Sequence, residues 1–224
     1  MLSFPFSSKQ KTLVFLLILC VSCVGKFKSI KGHRGFYVSS QEVALKMYQS
    51  RNQFYELKKH DTIVSIGAES GCNEVIYGLL TDSLNFILEN ISSKYLNPKE
   101  VDFSKSYYEK MFAKPTTANY TIQIGNDTST LLPSSSCTKV MVENSLHEFS
   151  EPSKMIRELN RILKPGSDLY LFERLSTPKH PIHGACNKRL FSKDELLDLM
   201  SKEHFSFVKT EVFEGVNLFK FRKN

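Results

Sequence analysis

Ser65-Ile66-Gly67-Ala68-Glu69-Ser70-Gly71 sets two glycines four residues apart, directly behind the β-branched run Thr62-Ile63-Val64. Glycine lets a backbone turn sharply and approach another group closely, and a helix starting behind such a turn offers free N–H groups. The segment therefore reads either as a ligand-binding bend or as a plain strand-to-helix turn. Glu89 closes the next apolar run, Asn85-Phe86-Ile87-Leu88. His147 lies just past the run Thr138 to Glu143. Its imidazole, with a pKa near neutrality, has the chemistry of a general base, although a surface or packing histidine is the plainer reading. His180 and His183 occupy a proline-flanked stretch, Thr177-Pro178-Lys179-His180-Pro181-Ile182-His183-Gly184. They suit a loop over a substrate, or a pair of metal donors. No third ligand stands beside them in sequence, so no metal is expected. Cys186 adds a thiol that nothing nearby marks as reactive.

The elements that must carry these residues follow from periodicity. Ser40 caps a helix over about residues 41–58, where Val43, Ala44, Met47, Phe54 and Leu57 share a face. Thr62–Ile66 and Asn85–Glu89 read as buried strands, with a helix between them over Asn73–Leu80. A helix over about Ser104–Phe112 precedes a third strand, Tyr120–Ile124, and Thr138–Glu143 is a fourth. Pro152 opens an amphipathic helix through Met155, Ile156, Leu159, Ile162 and Leu163, and Lys164-Pro165-Gly166 carries its stop chemistry. Asp168–Glu173 is the fifth strand. Ser192 and Glu195 form a capping box for a last helix. Two closing runs, 205–213 and 216–221, meet at Glu214-Gly215 and can pair antiparallel. Strands alternating with helices predict an α/β, Rossmann-like, doubly wound, mostly parallel seven-stranded sheet. It carries helices on both faces and a C-terminal antiparallel pair.

The chain of 224 residues is 41% hydrophobic with a net charge of +7, long enough for one domain with a full core. Its basic residues are spread among carboxylates and match no nucleic-acid module, so no specific nucleic acid is expected as partner. Of five cysteines, Cys20 and Cys23 fall in the leader, and Cys72, Cys137 and Cys186 give no disulfide framework. Residues 1–25 read as a targeting segment: Lys9 and Lys11 precede an almost continuously apolar Thr12–Val24, shorter than the roughly 20 residues that span a bilayer. Ser22-Cys23 resembles a bacterial lipoprotein cleavage site, with Cys20 where leucine is usual. This implies a membrane-associated protein, lipid-anchored through Cys23. An uncleaved signal anchor is the alternative, and the four basic residues Lys26, Lys28, Lys31 and Arg34 behind it would favour a cytoplasmic body. Residues 26–40 read as a linker and 41–224 as the domain.

From about residue 60 to 222 the chain resembles the class I S-adenosylmethionine-dependent methyltransferases, specifically the type 11-like domain. Ser65 to Gly71 is similar to that family's acid-x-Gly-x-Gly-x-Gly bend, which would place Gly67, Ala68, Glu69 and Gly71 against the cofactor. Glu89 stands where the family's acid accepts hydrogen bonds from the ribose hydroxyls. Gly125-Asn126-Asp127, followed by Leu131-Leu132-Pro133, resembles the segment whose Asp meets the adenine amine, although Asn-Asp-Thr is also good turn chemistry. Glu143 to Phe149, followed by the helix ending Arg161-Ile162-Leu163-Lys164-Pro165-Gly166, resembles the fourth strand and its "R-x-L-K-P-G" signature, adding Glu143 to the cofactor set.

The resemblance implies S-adenosylmethionine as methyl donor and a small-molecule or membrane-associated, lipid-like acceptor, with His147 the candidate base. Two departures stand out: Ser65 replaces the motif acid, and Glu69 replaces a glycine at the point of close approach. They keep open a second function, a non-catalytic, membrane-tethered binding protein on a degenerate methyltransferase fold. A nicotinamide-dependent dehydrogenase would need a complete G-x-G-x-x-G turn, which Gly67 to Gly71 does not supply. The acceptor and the oligomeric state are not legible.

Overall fold

The structure, a computed structural model, describes residues 26–224. The leader, with Cys20 and the expected anchor Cys23, lies outside the described residues. Among those described, no helix is long and apolar enough to cross a membrane.

Seven strands form the main sheet: β3 (Thr62–Ile66), β4 (Asn85–Asn90), β5 (Asn119–Ile124), β6 (Cys137–Glu143), β7 (Leu163–Glu173), β8 (Phe205–Phe213) and β9 (Val216–Lys223). Their order is β5-β4-β3-β6-β7-β9-β8. The first five run parallel, and β9 is antiparallel to both β7 and β8. The helices are α1 (Gln41–Phe54), α2 (Cys72–Leu80), α3 (Pro98–Phe112), α4 (Pro152–Ile162) and α5 (Lys193–Lys202). This is the doubly wound, Rossmann-like sheet that the sequence predicts.

The alternation of side chains along each strand explains the two layers. Ile63 of β3 and Met141 of β6 join a core with Met47 and Tyr48 of α1, Val75 and Ile76 of α2, and Tyr108 of α3. Their neighbours Val64 and Ile66, Val140 and Val142 face the other side, against Met155, Ile156 and Leu159 of α4 and Leu196 and Met200 of α5. Each such side chain contributes roughly 1.5–3 kcal/mol by leaving water.

Helix α1 stops at Phe54, short of the expected residue 58, and three further boundaries differ from the sequence expectation. Helix α3 starts at Pro98, not near Ser104, because the Asn97 side chain accepts from Glu100 N and Pro98 fills the first helical position. Val101 and Ser104 already lie on its buried face, in step with Tyr108 and Phe112. Helix α4 ends at Ile162, and the chain enters β7 at once. Gly166, at φ +71°, serves a kink inside β7 instead of capping the helix. Residues 26–40, expected to be a linker, hold a two-stranded ribbon of β1 (Phe27–Lys28) and β2 (Tyr37–Val38). Tyr37 and Val38 are fully buried. Val38 N donates to Tyr108 Oη at 3.0 Å, and Tyr107 Oη donates to Val38 O at 2.8 Å. Phenols on α3 thus satisfy backbone groups that burial would otherwise strand.

Candidate functional site

Chain direction across the sheet reverses between β3 and β6, and open α/β sheets bind ligands at the carboxyl ends of the strands flanking such a point. The bend after β3 and the segment after β6 meet there. Gly67 has φ +73°, and a Cβ on it would lie 2.8 Å from Cβ and Oγ of Ser145. Ser145 Oγ in turn donates to Ile66 O at 3.1 Å. Gly71, at φ +71°, caps α2, where a Cβ would lie 3.1 Å from Leu88 Cδ1. Conformation favours glycine at both positions, and at Gly67 the close approach of Ser145 demands it as well.

Ala68 is buried, and both its main-chain groups are used within the protein. Its N–H donates to Glu89 O at 2.9 Å, and its carbonyl accepts from Asn90 Nδ2 at 3.1 Å. Its amide is thus not the free donor the sequence analysis placed against a ligand. The N–H groups of Glu69 and Ser70 donate no hydrogen bond among the described residues. The side chain expected to crowd the bend, Glu69, is exposed. Partial desolvation and the nearby Glu148 push its carboxyl upward, and Arg34 pulls it down.

Glu89, next to last in β4, has its side chain buried against the tip of β5. A Cβ on Gly125 would fall 2.3 Å from Glu89 Oε1. That oxygen has no hydrogen-bond partner within the protein. Burial pushes the carboxyl up to about 7, against a lowering hydrogen bond from the Gly67 backbone and with repulsion from Glu158 added. Asp127 is exposed at the apex of a turn that Asn126 and Ser129 close by mutual backbone hydrogen bonds. The turn chemistry is what this geometry displays, and Asp127 has no side-chain partner among the described residues.

Ser65 stands where the resemblance expects an acid, and the adjoining helix brings one beside it. Ser65 Oγ donates to Glu74 Oε1 at 2.5 Å, and Glu74 is buried in the first turn of α2. Burial raises its carboxyl to about 7, opposed by the Ser65 hydrogen bond and reinforced by Glu143. Glu74 was not among the site residues expected from the sequence. Its only signal was an acid in the helix turn behind a bend that had lost one.

Glu143 departs from expectation. Tyr55 and Tyr77 donate to its Oε1 at 2.6 and 2.5 Å, and Asn73 Nδ2 and Arg51 Nη1 reach Oε2 at 2.8 and 3.3 Å. A carboxylate has about four lone-pair sites, and all are taken, so Glu143 has no acceptor left for a cofactor. Arg51 is itself held between the faces of Tyr48, at 4.0 Å, and Phe172, at 4.8 Å. Coulombic interactions with the surrounding tyrosines and Glu143 outweigh burial and hold the guanidinium pKa above its ordinary value. This clasp joins α1, α2 and β6.

His147 sits in a single 3₁₀ turn (Leu146–Glu148) with its side chain fully buried. Its Nδ1–H donates to Glu173 Oε1 at 2.9 Å, at the tip of β7, and its Nε2 has no partner within the protein. The ring lies 4.4 Å from that of His183, whose Nδ1 is 3.1 Å from Cys186 Sγ. His180 is exposed at a separate turn.

Strand order and strand direction together define the class of fold: a Rossmann-like α/β domain with an antiparallel C-terminal pair. Residues 84–171 match the family model for a methyltransferase domain. The matched stretch begins at β4, behind the bend with its two departures. No curated protein matches the chain. Among solved structures, the [4+2]-cyclase SpnF is similar with a TM-score of 0.64 at 16% identity, over 96% of this chain and 94% of that one. A SAM-dependent methyltransferase from Aquifex aeolicus gives 0.61 at 15% identity, over 80% and 90% of the two chains. One from Methanosarcina mazei gives 0.61 at 17%, over 76% and 95%. These likenesses show the fold.

Proposed function

We propose that this protein is an S-adenosylmethionine-dependent methyltransferase acting on a small-molecule or membrane-associated acceptor. The observation that carries the reading is Glu89. Its carboxylate is buried at a strand tip beside a glycine bend, with one oxygen unpartnered. Such a group costs about 1–3 kcal/mol unless a ligand donor meets it. A pair of ribose hydroxyls supplies those donors, so the residues present fit the cofactor.

Glu89 would hold the sugar, with the free N–H groups of Glu69 and Ser70 lining the bend. When bound, the cofactor supplies a sulfonium methyl group open to attack by a nucleophile. The exposed carboxylates of Glu69 and Glu148 at this end of the sheet favour a cationic ligand over an anionic one. The remaining contribution of the chain is to fix donor and acceptor in line, which demands few reacting side chains. Glu74 takes the place of the acid lost at Ser65.

Calorimetric titration of the full chain, purified in detergent, with S-adenosylmethionine and S-adenosylhomocysteine tests this. A micromolar constant in the wild type, weakened at least tenfold by Glu89→Gln, supports it. No heat at millimolar ligand from folded protein refutes it in favour of a non-catalytic binding protein.

A further inference from the structure

Between Glu173 and α5 the chain makes a loop with a small built turn. Ile182 and Arg189 form an antiparallel bridge, His183 N donates to Lys188 O at 2.8 Å, and Asn187 N donates to His183 O at 2.9 Å. This closure puts His183 and Cys186, three residues apart, on the same side of the turn. Their Nδ1 and Sγ are 3.1 Å apart. The turn meets the tip of β6, where His147 waits. One donor atom from each of His147, His183 and Cys186 lies within 4.8 Å of the other two.

His147 is the deciding residue. Its side chain has no exposure, Glu173 holds its Nδ1–H, and its Nε2 is left buried without a partner in the protein. The second oxygen of Glu173 is likewise unpartnered. The His183–Cys186 contact accounts for those two residues and leaves the His147 nitrogen unexplained. A metal-ligating histidine ordinarily donates its other N–H to a carboxylate, which fixes the tautomer and presents the free nitrogen to the ion.

We propose that His147, His183 and Cys186 bind a zinc ion, with Glu173 orienting His147. Two imidazoles and a thiolate suit a borderline-soft cation, whereas magnesium and calcium require oxygen donors. Zinc bonds of about 2.0–2.3 Å put tetrahedral ligand atoms roughly 3.3–3.6 Å apart. His183 and Cys186 are already near that spacing, and Gly184, with open space around it, lets the turn close the remaining gap to His147. On binding, the Cys186 thiol gives up its proton to solvent, and both imidazoles coordinate as neutral rings. Desolvation and the neighbouring His147 lower the pKa of His183, which favours that neutral form. Three protein donors leave one position open for water or a substrate atom. The ion would tie the loop to the tips of β6 and β7, and the site stands whether or not the cleft binds a nucleoside.

The test is cobalt(II) titration of the full chain after chelator treatment. One equivalent should produce a saturable thiolate-to-cobalt charge-transfer band in the near ultraviolet, displaced by one equivalent of zinc. Cys186→Ser should abolish the band, and His183→Ala should weaken binding at least tenfold. Glu173→Gln should keep the band and weaken binding about 10–100-fold. Far-ultraviolet dichroism confirms that the two loop variants fold. A wild type without the band overturns the proposal. So does a band that survives Cys186→Ser, since the other four cysteines remain, or a His183→Ala affinity equal to that of the wild type.

Discussion

Glu74, Glu89 and Glu143 are three buried glutamates within one sheet edge, and their surroundings give them different work. Glu143 receives four donors and is a structural clasp. Glu89 keeps an oxygen free for a ligand. Glu74 has one serine partner and a carboxyl raised to about 7. A carboxyl raised in the fold prefers the neutral form there. Its stabilising contribution is full below the unfolded carboxyl range and is lost as pH rises through about 7. Glu74→Gln should therefore raise stability at pH 8 by roughly 2–3 kcal/mol, and much less at pH 4, as read from urea unfolding. An equal effect at both pH values would contradict the desolvated carboxyl. Arg51→Met should cost about 3–5 kcal/mol in the same assay, because it strands the Glu143 charge in an aromatic core. A neutral result would mean that the three other donors suffice. None of these assignments was legible from residue type. Glu89 was legible only through its place at a strand end, whereas Glu143, at an equivalent end, was misassigned because its partners come from α1 and α2, far away in sequence.

At the scale of elements, periodicity located every strand of the sheet and missed the ends that caps decide. Helix α3 began earlier than the expected Ser104, since Asn97 and Pro98 set its start. The bend after β3 was visible as two glycines, but the reason for the first is the approach of Ser145 from beyond β6. Gly67→Ala should then cost about 1–3 kcal/mol from positive φ and steric conflict together, measured by thermal unfolding. Gly166→Ala shares the positive φ and meets open space, so it should cost less. If the two cost the same, the contact with Ser145 does not matter. In α4, Leu159 packs fully buried against the sheet, and Leu159→Ala should lose about 2–5 kcal/mol.

In the molecule as a whole, the alternation of strands and helices was enough to fix the layers and the antiparallel ending. The packing of residues 26–40 was not, because the phenols that receive Val38 sit some seventy residues away on α3. The trio of His147, His183 and Cys186 was hidden for the same reason: spacing in sequence disclosed only two donors. Fold alone leaves the chemistry open, since a [4+2]-cyclase shares this architecture. The cofactor reading of the present chain rests on the bend at Gly67 beside an unsatisfied Glu89. A crystal structure of the protein with S-adenosylhomocysteine tests that pairing most directly. The account predicts both ribose hydroxyls within about 3 Å of the Glu89 carboxylate. A nucleoside seated elsewhere, or Glu89 making no contact with it, would contradict the account.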